Sequence, residues 1–239
     1  MLFQDGLWLH GLQARGKLKM SSTNRGSDRA EADFYQTPDW CVQRLVEKLG
    51  LPGGKWLEPG AGEGDLIKAM GRGCVYWTAL ELREECRANL EKIQPPVEII
   101  ITDKFIDPSV PEDQKPLHGR HFDVAFGNPP YSLAIEFIQE SLKYCDIVVM
   151  LLRLNFLSTR SRAPFMQEHT PDVYVLPDRP SFTGHGTDSS EYAWFVWDKS
   201  KLPGDPGLVV VLNTTSPAEK QAARENRIKT AKEVADNVK

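Results

Sequence analysis

Phe122-Asp-Val-Ala-Phe-Gly-Asn128-Pro129-Pro130-Tyr131 is an apolar run that stops in a proline-stiffened turn. The run Phe122 to Phe126 predicts a strand, and the turn decides what sits at its end. Neither proline has an N–H to donate, and Pro129 biases Asn128 toward an extended backbone. An acceptor-rich notch remains, made of the Asn128 side-chain oxygen and the Pro129 carbonyl, with the Tyr131 ring beside them. A planar amine, such as the exocyclic nitrogen of adenine, can donate both its hydrogens there while its ring lies against Tyr131. Turns of this composition also occur as plain surface punctuation, so the flanking sequence has to decide.

Outward from this strand the chain alternates short apolar runs with helical patterns, as a parallel α/β sheet requires. Upstream, Pro38 to Lys48 reads as a helix with Thr37 at its N-cap. Lys55 to Leu57 reads as the first strand, Asp65 to Met70 as a helix, Val75 to Leu80 as the second strand and Arg83 to Lys92 as a charged helix. Val97 to Ile101 is the third strand. Downstream, Leu133 to Tyr144 is helical, and Ile147 to Leu152 is apolar enough to be buried on both faces. Val173 to Leu176 and Tyr192 to Trp197 follow with no helical pattern between them, which predicts an antiparallel pair. The expected fold is one mostly parallel seven-stranded sheet with an antiparallel last strand and helices on both faces. Residues 1–33 read as a loosely attached lead-in, within which Met20 can serve as an internal start, and 34–200 as the main domain. Residues 201–239 read as an edge strand, Leu208 to Leu212, followed by a polar helical tail.

The 239 residues are 41% hydrophobic, enough for a real core. No apolar run approaches the ~18 residues that span a bilayer, and the N-terminus lacks the pattern of a signal peptide. Cys41, Cys74, Cys86 and Cys145 have no CxxC spacing, so neither zinc nor a disulfide framework is expected, and a cytoplasmic setting is. A net charge of −4 is not the footprint of a strong nucleic-acid binder. The local basic group Arg153, Arg160 and Arg162 can still meet a phosphate backbone, or form a solvated face.

Candidate ligand groups fall just beyond strand ends, where open α/β sheets bind ligands. Gly60-x-Gly62-x-Gly64 allows close backbone approach and a tight turn into the next helix. Glu81 follows nineteen residues after Gly62, the spacing of an acid that accepts from a ribose diol, although a strand-end carboxylate can equally serve a helix N-terminus. Asp103 and Phe105 can offer an acceptor to an adenine amine and an apolar face to its ring.

LEPGAGEGD, the strand-end Glu81, TDKF and FGNPPY, in this order, resemble the motifs of S-adenosylmethionine-dependent DNA adenine N6-methyltransferases. Tyr35-Gln-Thr37-Pro38 resembles the additional cofactor motif of that family, and the motif order is similar to its gamma and alpha arrangements. The resemblance implies a Rossmann-like methyltransferase domain over about Phe34 to Asp198, with S-adenosylmethionine as cofactor. It implies that Tyr35, Thr37 and Pro38 line the methionine end, with Glu58, Gly60 and Gly62 below it. Glu81 would hold the ribose, and Asp103 with Phe105 the adenine. Asn128, Pro129, Pro130 and Tyr131 would form the catalytic notch. Pro180-Ser-Phe182 resembles the aromatic motif that stacks on the target base, although Phe182 also reads as core.

The expected substrate is therefore adenine in DNA, flipped out of the duplex. The chain departs from the pattern in having no room for a large recognition domain. Recognition would fall to Arg153, Arg160 and Arg162, to the loop Gly184 to Asp188, or to a partner subunit. The same notch would serve a protein glutamine N5-methyltransferase or an RNA base-amine methyltransferase. A non-catalytic nucleic-acid-binding relative is the reading from a different class.

Overall fold

A single sheet of eight strands organises the described residues, which in this computed structural model are 36–71, 74–182, 188–222, 225 and 229. The strands are β1 (Gly54–Pro59), β2 (Val75–Glu81), β3 (Glu98–Ile101), β4 (Phe122–Gly127), β5 (Cys145–Arg153), β6 (Asp172–Val175), β7 (Tyr192–Asp198) and β8 (Val209–Val211). The helices are α1 (Asp39–Val46), α2 (Asp65–Met70), α3 (Arg87–Leu90), α4 (Ala134–Tyr144) and α5 (Ala163–Glu168). Spatial order is β3-β2-β1-β4-β5-β7-β6-β8. Every pairing is parallel except those of β7, which lies antiparallel between β5 and β6. This is the mostly parallel sheet that the alternating pattern predicts and the Rossmann-like arrangement that the resemblance implies, with eight strands instead of seven because the edge segment Leu208 to Leu212 supplies β8 beyond β6.

Period-two alternation sorts the strand residues onto two faces. Trp56 of β1, Phe126 of β4 and Trp194 of β7 face one side, and their neighbours Leu57, Ala125 and Phe195 face the other. The first face carries a row of rings. Trp77 meets Trp56 edge-on at 5.2 Å, Trp56 lies 5.8 Å from Phe126, and Phe126 stacks on Trp194 at 4.7 Å. Residues of α1, α2 and α3 close over this face, and α4 with α5 covers the other. The α1 helix is also pinned by a hydrogen bond, because the buried Trp194 indole N–H donates to the Cys41 carbonyl at 3.0 Å. Such rings bury large apolar areas and prefer these offset and edge geometries.

Two segments differ from the sequence pattern. The helix expected over Arg83 to Lys92 is a 3-10 turn, Glu84–Cys86, followed by the four-residue α3. Leu90 and Ile93 must both reach Gly64, and a tight turn in which Ile93 N–H donates to Leu90 C=O brings them there. The six-residue α5 falls in the stretch between β5 and β6 to which the sequence pattern assigned no element. It is too short for a helical periodicity to show, and Pro164 stands in its first turn. Residues 217–222 of the expected C-terminal helix are helical, while most of that segment, like the lead-in 1–33, lies outside the described residues. Among the described residues no helix is long and apolar enough to cross a membrane.

Gly64 shows how tightly the first βα turn is built. It has φ +76°, and a Cβ there would lie 2.4 Å from Ile93 Cδ1 and 3.0 Å from Leu90 Cδ2. Gly64→Ala is expected to lower unfolding free energy by about 2–4 kcal/mol, combining left-handed strain with overpacking. Urea unfolding measures this, and a loss below about 0.5 kcal/mol would show that the turn relaxes freely.

Candidate active site

Two turns leave the sheet side by side. β1 ends at Pro59 and enters the glycine loop, and β4 ends at Gly127 and enters Asn128-Pro129-Pro130-Tyr131. Because β1 and β4 pair in parallel, both turns emerge at the same edge. A Cβ on Gly127 would sit 3.4 Å from the Pro59 carbonyl oxygen, an ordinary contact, and 3.3 Å from Met150 Sδ, so the two turns run close together there.

The glycine loop is tied to the end of β2. The N–H groups of Gly60 and Ala61 both donate to the Leu80 carbonyl, at 2.9 and 2.8 Å. Gly62 N–H donates to Glu81 Oε2 at 2.7 Å, and Glu81 Oε1 accepts from Arg83 N–H at 3.0 Å and Nε–H at 2.9 Å. The nineteen-residue spacing between Gly62 and Glu81 is therefore a direct contact. A carboxylate has about four lone-pair directions, and these three bonds leave one for a further donor.

Glu58, at the end of β1, is buried, and its Oε2 has no hydrogen-bond partner among the described residues. Burial, reinforced by the charges of Asp65 and Glu81, holds its pKa well above the usual carboxylate value. A buried acceptor without a donor costs free energy, and this one sits among acidic groups. The arrangement suits a ligand that brings a cationic or N–H donor.

Asn128 has the complementary geometry. Its Nδ2 donates to the Thr37 hydroxyl at 2.9 Å, and its Oδ1 is buried with no partner among the described residues. Thr37 is buried just before α1, where the Pro38 carbonyl accepts from Cys41 N–H at 3.0 Å. Pro129 is buried too, and the Pro130 carbonyl accepts from Leu133 N–H at 2.9 Å, bending the chain through a 3-10 turn into α4.

Tyr131 stands in an aromatic and cationic cluster. The Arg153 guanidinium lies over its ring at 5.0 Å, within cation–π range, and the Tyr192 ring is 5.7 Å away. Arg153 Nε donates to the Tyr192 hydroxyl at 3.2 Å, and that hydroxyl donates to Asp188 Oδ2 at 2.9 Å. Burial first, and then neighbouring Tyr192, pushes the Tyr131 phenol well above its ordinary pKa, so it stays protonated near neutrality. Phe182 is buried with its edge on Tyr192 at 5.1 Å, which places it one ring from Tyr131.

The other sequence candidates separate. Phe105 is buried, with its ring edge on Phe137 at 5.8 Å, while Asp103 is exposed. Arg160 is exposed, whereas Arg162 lies over the Phe156 ring at 4.3 Å and donates to the Phe156 carbonyl at 3.0 Å, bracing its own loop. Tyr35, and the loop Gly184 to Asp188 except Asp188 itself, lie outside the described residues. Sequence reasoning missed Phe137, whose ring would lie 3.6 Å from a Cβ on Gly60. Only its place one turn along from Leu133 hinted at it. It also missed Tyr192, whose hydroxyl accepts from Arg153 and donates to Asp188. Asp188, expected in a recognition loop, instead braces this cluster.

No family model matches the chain, and no curated protein matches it in sequence. Solved structures do match in fold. A 23S rRNA methyltransferase, ErmE, is similar at TM-score 0.52 and 19% identity, over 73% of this chain and 72% of its own. A type I restriction-modification methyltransferase subunit from Streptococcus thermophilus matches at TM-score 0.53 and 16% identity, over 82% of this chain and 52% of that longer one. A protein from Listeria monocytogenes, named as a candidate class I S-adenosylmethionine-dependent methyltransferase, matches at TM-score 0.50 and 13% identity, over 77% and 66%. At these identities the likeness is one of fold, and the fold is that of the Rossmann-like methyltransferases.

The raised Glu58 pKa fixes a pH dependence. Its charged form is disfavoured in the folded state, so its contribution is fully present below the unfolded carboxylate pKa of about 4.3 and is lost as pH rises through the folded value. Glu58→Gln removes that loss. The variant is expected to gain stability over the parent as pH is raised from 4.5 to 8, measured by urea unfolding across that range. A difference that does not change with pH would contradict the assignment.

Proposed function

We propose that this chain transfers the methyl group of S-adenosylmethionine to the exocyclic N6 amine of adenine in DNA, acting on a base taken out of its stack. The observation that carries the reading is the buried Oδ1 of Asn128, which has no partner among the described residues and lies beside the glycine loop. The fold shared with methyltransferases of known structure supports the cofactor.

The residues at the strand ends fit that cofactor. Gly60 and Gly62, with no Cβ and positive φ, let a ligand approach the backbone closely. Glu58 Oε2 lacks a donor, which a methionine amino group would provide. Glu81 keeps one lone-pair direction for a ribose hydroxyl, and Phe105 with Phe137 forms an apolar wall for an adenine ring, with Asp103 as the acceptor for its amine. Bound S-adenosylmethionine supplies an electrophilic sulfonium methyl.

The work of Asn128 and Pro129 is on the substrate nitrogen. An exocyclic adenine amine is a poor nucleophile because its lone pair is delocalised into the ring. Two acceptors, Asn128 Oδ1 and the Pro129 carbonyl, would draw its hydrogens out of the ring plane and leave the nitrogen more tetrahedral. Position and electrostatics then carry the rate, with no covalent enzyme intermediate. Extrusion of the base costs a few kcal/mol, and stacking on Tyr131 returns roughly 1–3 kcal/mol.

A base amine in structured RNA is the second reading. It is favoured by the fold-level likeness to an rRNA methyltransferase and by the short connection between β5 and β6, which holds a 3-10 turn, Leu154–Leu157, and α5. The likeness to a restriction-modification subunit favours DNA, with recognition supplied by a partner subunit.

Incubation with methyl-labelled cofactor and, separately, DNA, RNA and a protein extract is expected to label DNA, with N6-methyladenine recovered on digestion to nucleosides. Label in RNA alone selects the second reading, and label in protein glutamine overturns both. Asn128→Ala is expected to lower transfer at least about 10²–10³-fold while leaving cofactor affinity within a few-fold by calorimetry. Equal loss of the two would make the notch structural.

A further inference from the structure

The Asn128 amide has two chemically opposite ends of nearly the same shape. Oδ1 only accepts hydrogen bonds, and Nδ2 carries two hydrogens to donate. A half-turn about the last side-chain torsion would exchange them and aim hydrogens at a substrate amine that also carries hydrogens. A notch that handles an amine therefore needs something that selects one orientation of the amide.

Among the described residues the amide makes one hydrogen bond, from Nδ2 to Thr37 Oγ1 at 2.9 Å. When Oδ1 faces the amine, Nδ2 points away from it into buried surroundings and needs an acceptor there. Thr37 provides it from a point 91 residues away in sequence. The position of that hydroxyl is set by packing. Thr37 is buried, the next turn is closed by Cys41 N–H on the Pro38 carbonyl, and the Cys41 carbonyl is held by the Trp194 indole of β7. In the opposite orientation Thr37 could donate to Oδ1, but both Nδ2 hydrogens would then face the notch, where the reading offers only an amine.

Building on the proposed reaction, we infer that Thr37 is a positioning residue: its hydroxyl accepts from Nδ2 and so holds the Asn128 amide with Oδ1 toward the reacting nitrogen. This role needs no contact with the cofactor, whereas the resemblance places Thr37 at the methionine end. Thr37→Val keeps the shape and removes the acceptor. The competent orientation then buries an unpaired N–H.

The test compares the unaltered chain with T37V, with T37S as the conservative control. Thr37→Val is expected to lower kcat roughly 10–100-fold, the scale of one or two buried hydrogen bonds, with cofactor affinity within about twofold of the parent. T37S keeps kcat within a few-fold because it keeps the hydroxyl. Equal behaviour of T37S and T37V, or cofactor affinity falling in step with kcat, overturns the inference and makes Thr37 a packing or cofactor residue. A chain that transfers no methyl to any base sinks the proposed reaction instead. Even then the Asn128 side-chain amide, identified by NMR from the signals that N128D removes, reports on the contact. Hydrogen exchange slowed in the parent and T37S but not in T37V supports the orientation, and unchanged exchange in T37V overturns it.

Discussion

The parallel pairing of β1 with β4 is what the rest of the candidate site depends on. It makes the turns after the two strands emerge together, so that the glycine loop and the Asn-Pro-Pro-Tyr turn stand as two neighbouring walls. Everything that holds β1 against β4 in turn holds those walls, above all the ring row from Trp77 through Trp56 and Phe126 to Trp194. Trp194 has a second task, because its indole fixes α1 and so carries Thr37 to the back of Asn128.

Among the described residues, Glu58 Oε2 and Asn128 Oδ1 are buried without a hydrogen-bond partner at the ends of two neighbouring strands, β1 and β4. Folded proteins satisfy most such atoms, and each one left open costs about 1–3 kcal/mol, a cost that a bound ligand's donors would offset. Glu81 shows the contrast. It is a buried glutamate too, yet it is satisfied by Gly62 and Arg83 and acts as the brace of the loop.

Much of this was legible in the sequence because the strands announce themselves. β5 and β7 are continuous apolar runs buried on both faces, and the glycine and proline turns sit at strand ends, where periodicity stops. The nineteen-residue interval from Gly62 to Glu81 was readable as a ligand spacing, but its use as an internal brace was not, since only folding brings the two into contact. The Arg153 guanidinium over Tyr131 was hidden for a similar reason. In sequence Arg153 groups with Arg160 and Arg162, and three-dimensional packing gives the three different work. Phe137 was invisible because a ring on an amphipathic helix reads as core, and only the bare Gly60 backbone opposite turns it toward the site. The short α5 and the truncated α3 fell below the length at which a helical period can be seen.

The central claim is that Asn128 Oδ1 and the Pro129 carbonyl take both hydrogens of a base amine beside the glycine loop. A crystal structure of the chain with sinefungin and an adenine-containing DNA strand tests it most directly. The account predicts the adenine out of its stack against Tyr131, its N6 within hydrogen-bond distance of both acceptors, and Nδ2 of Asn128 still on Thr37. An adenine bound with its amine turned away from Asn128, or sinefungin bound away from Gly60 and Gly62, would contradict it.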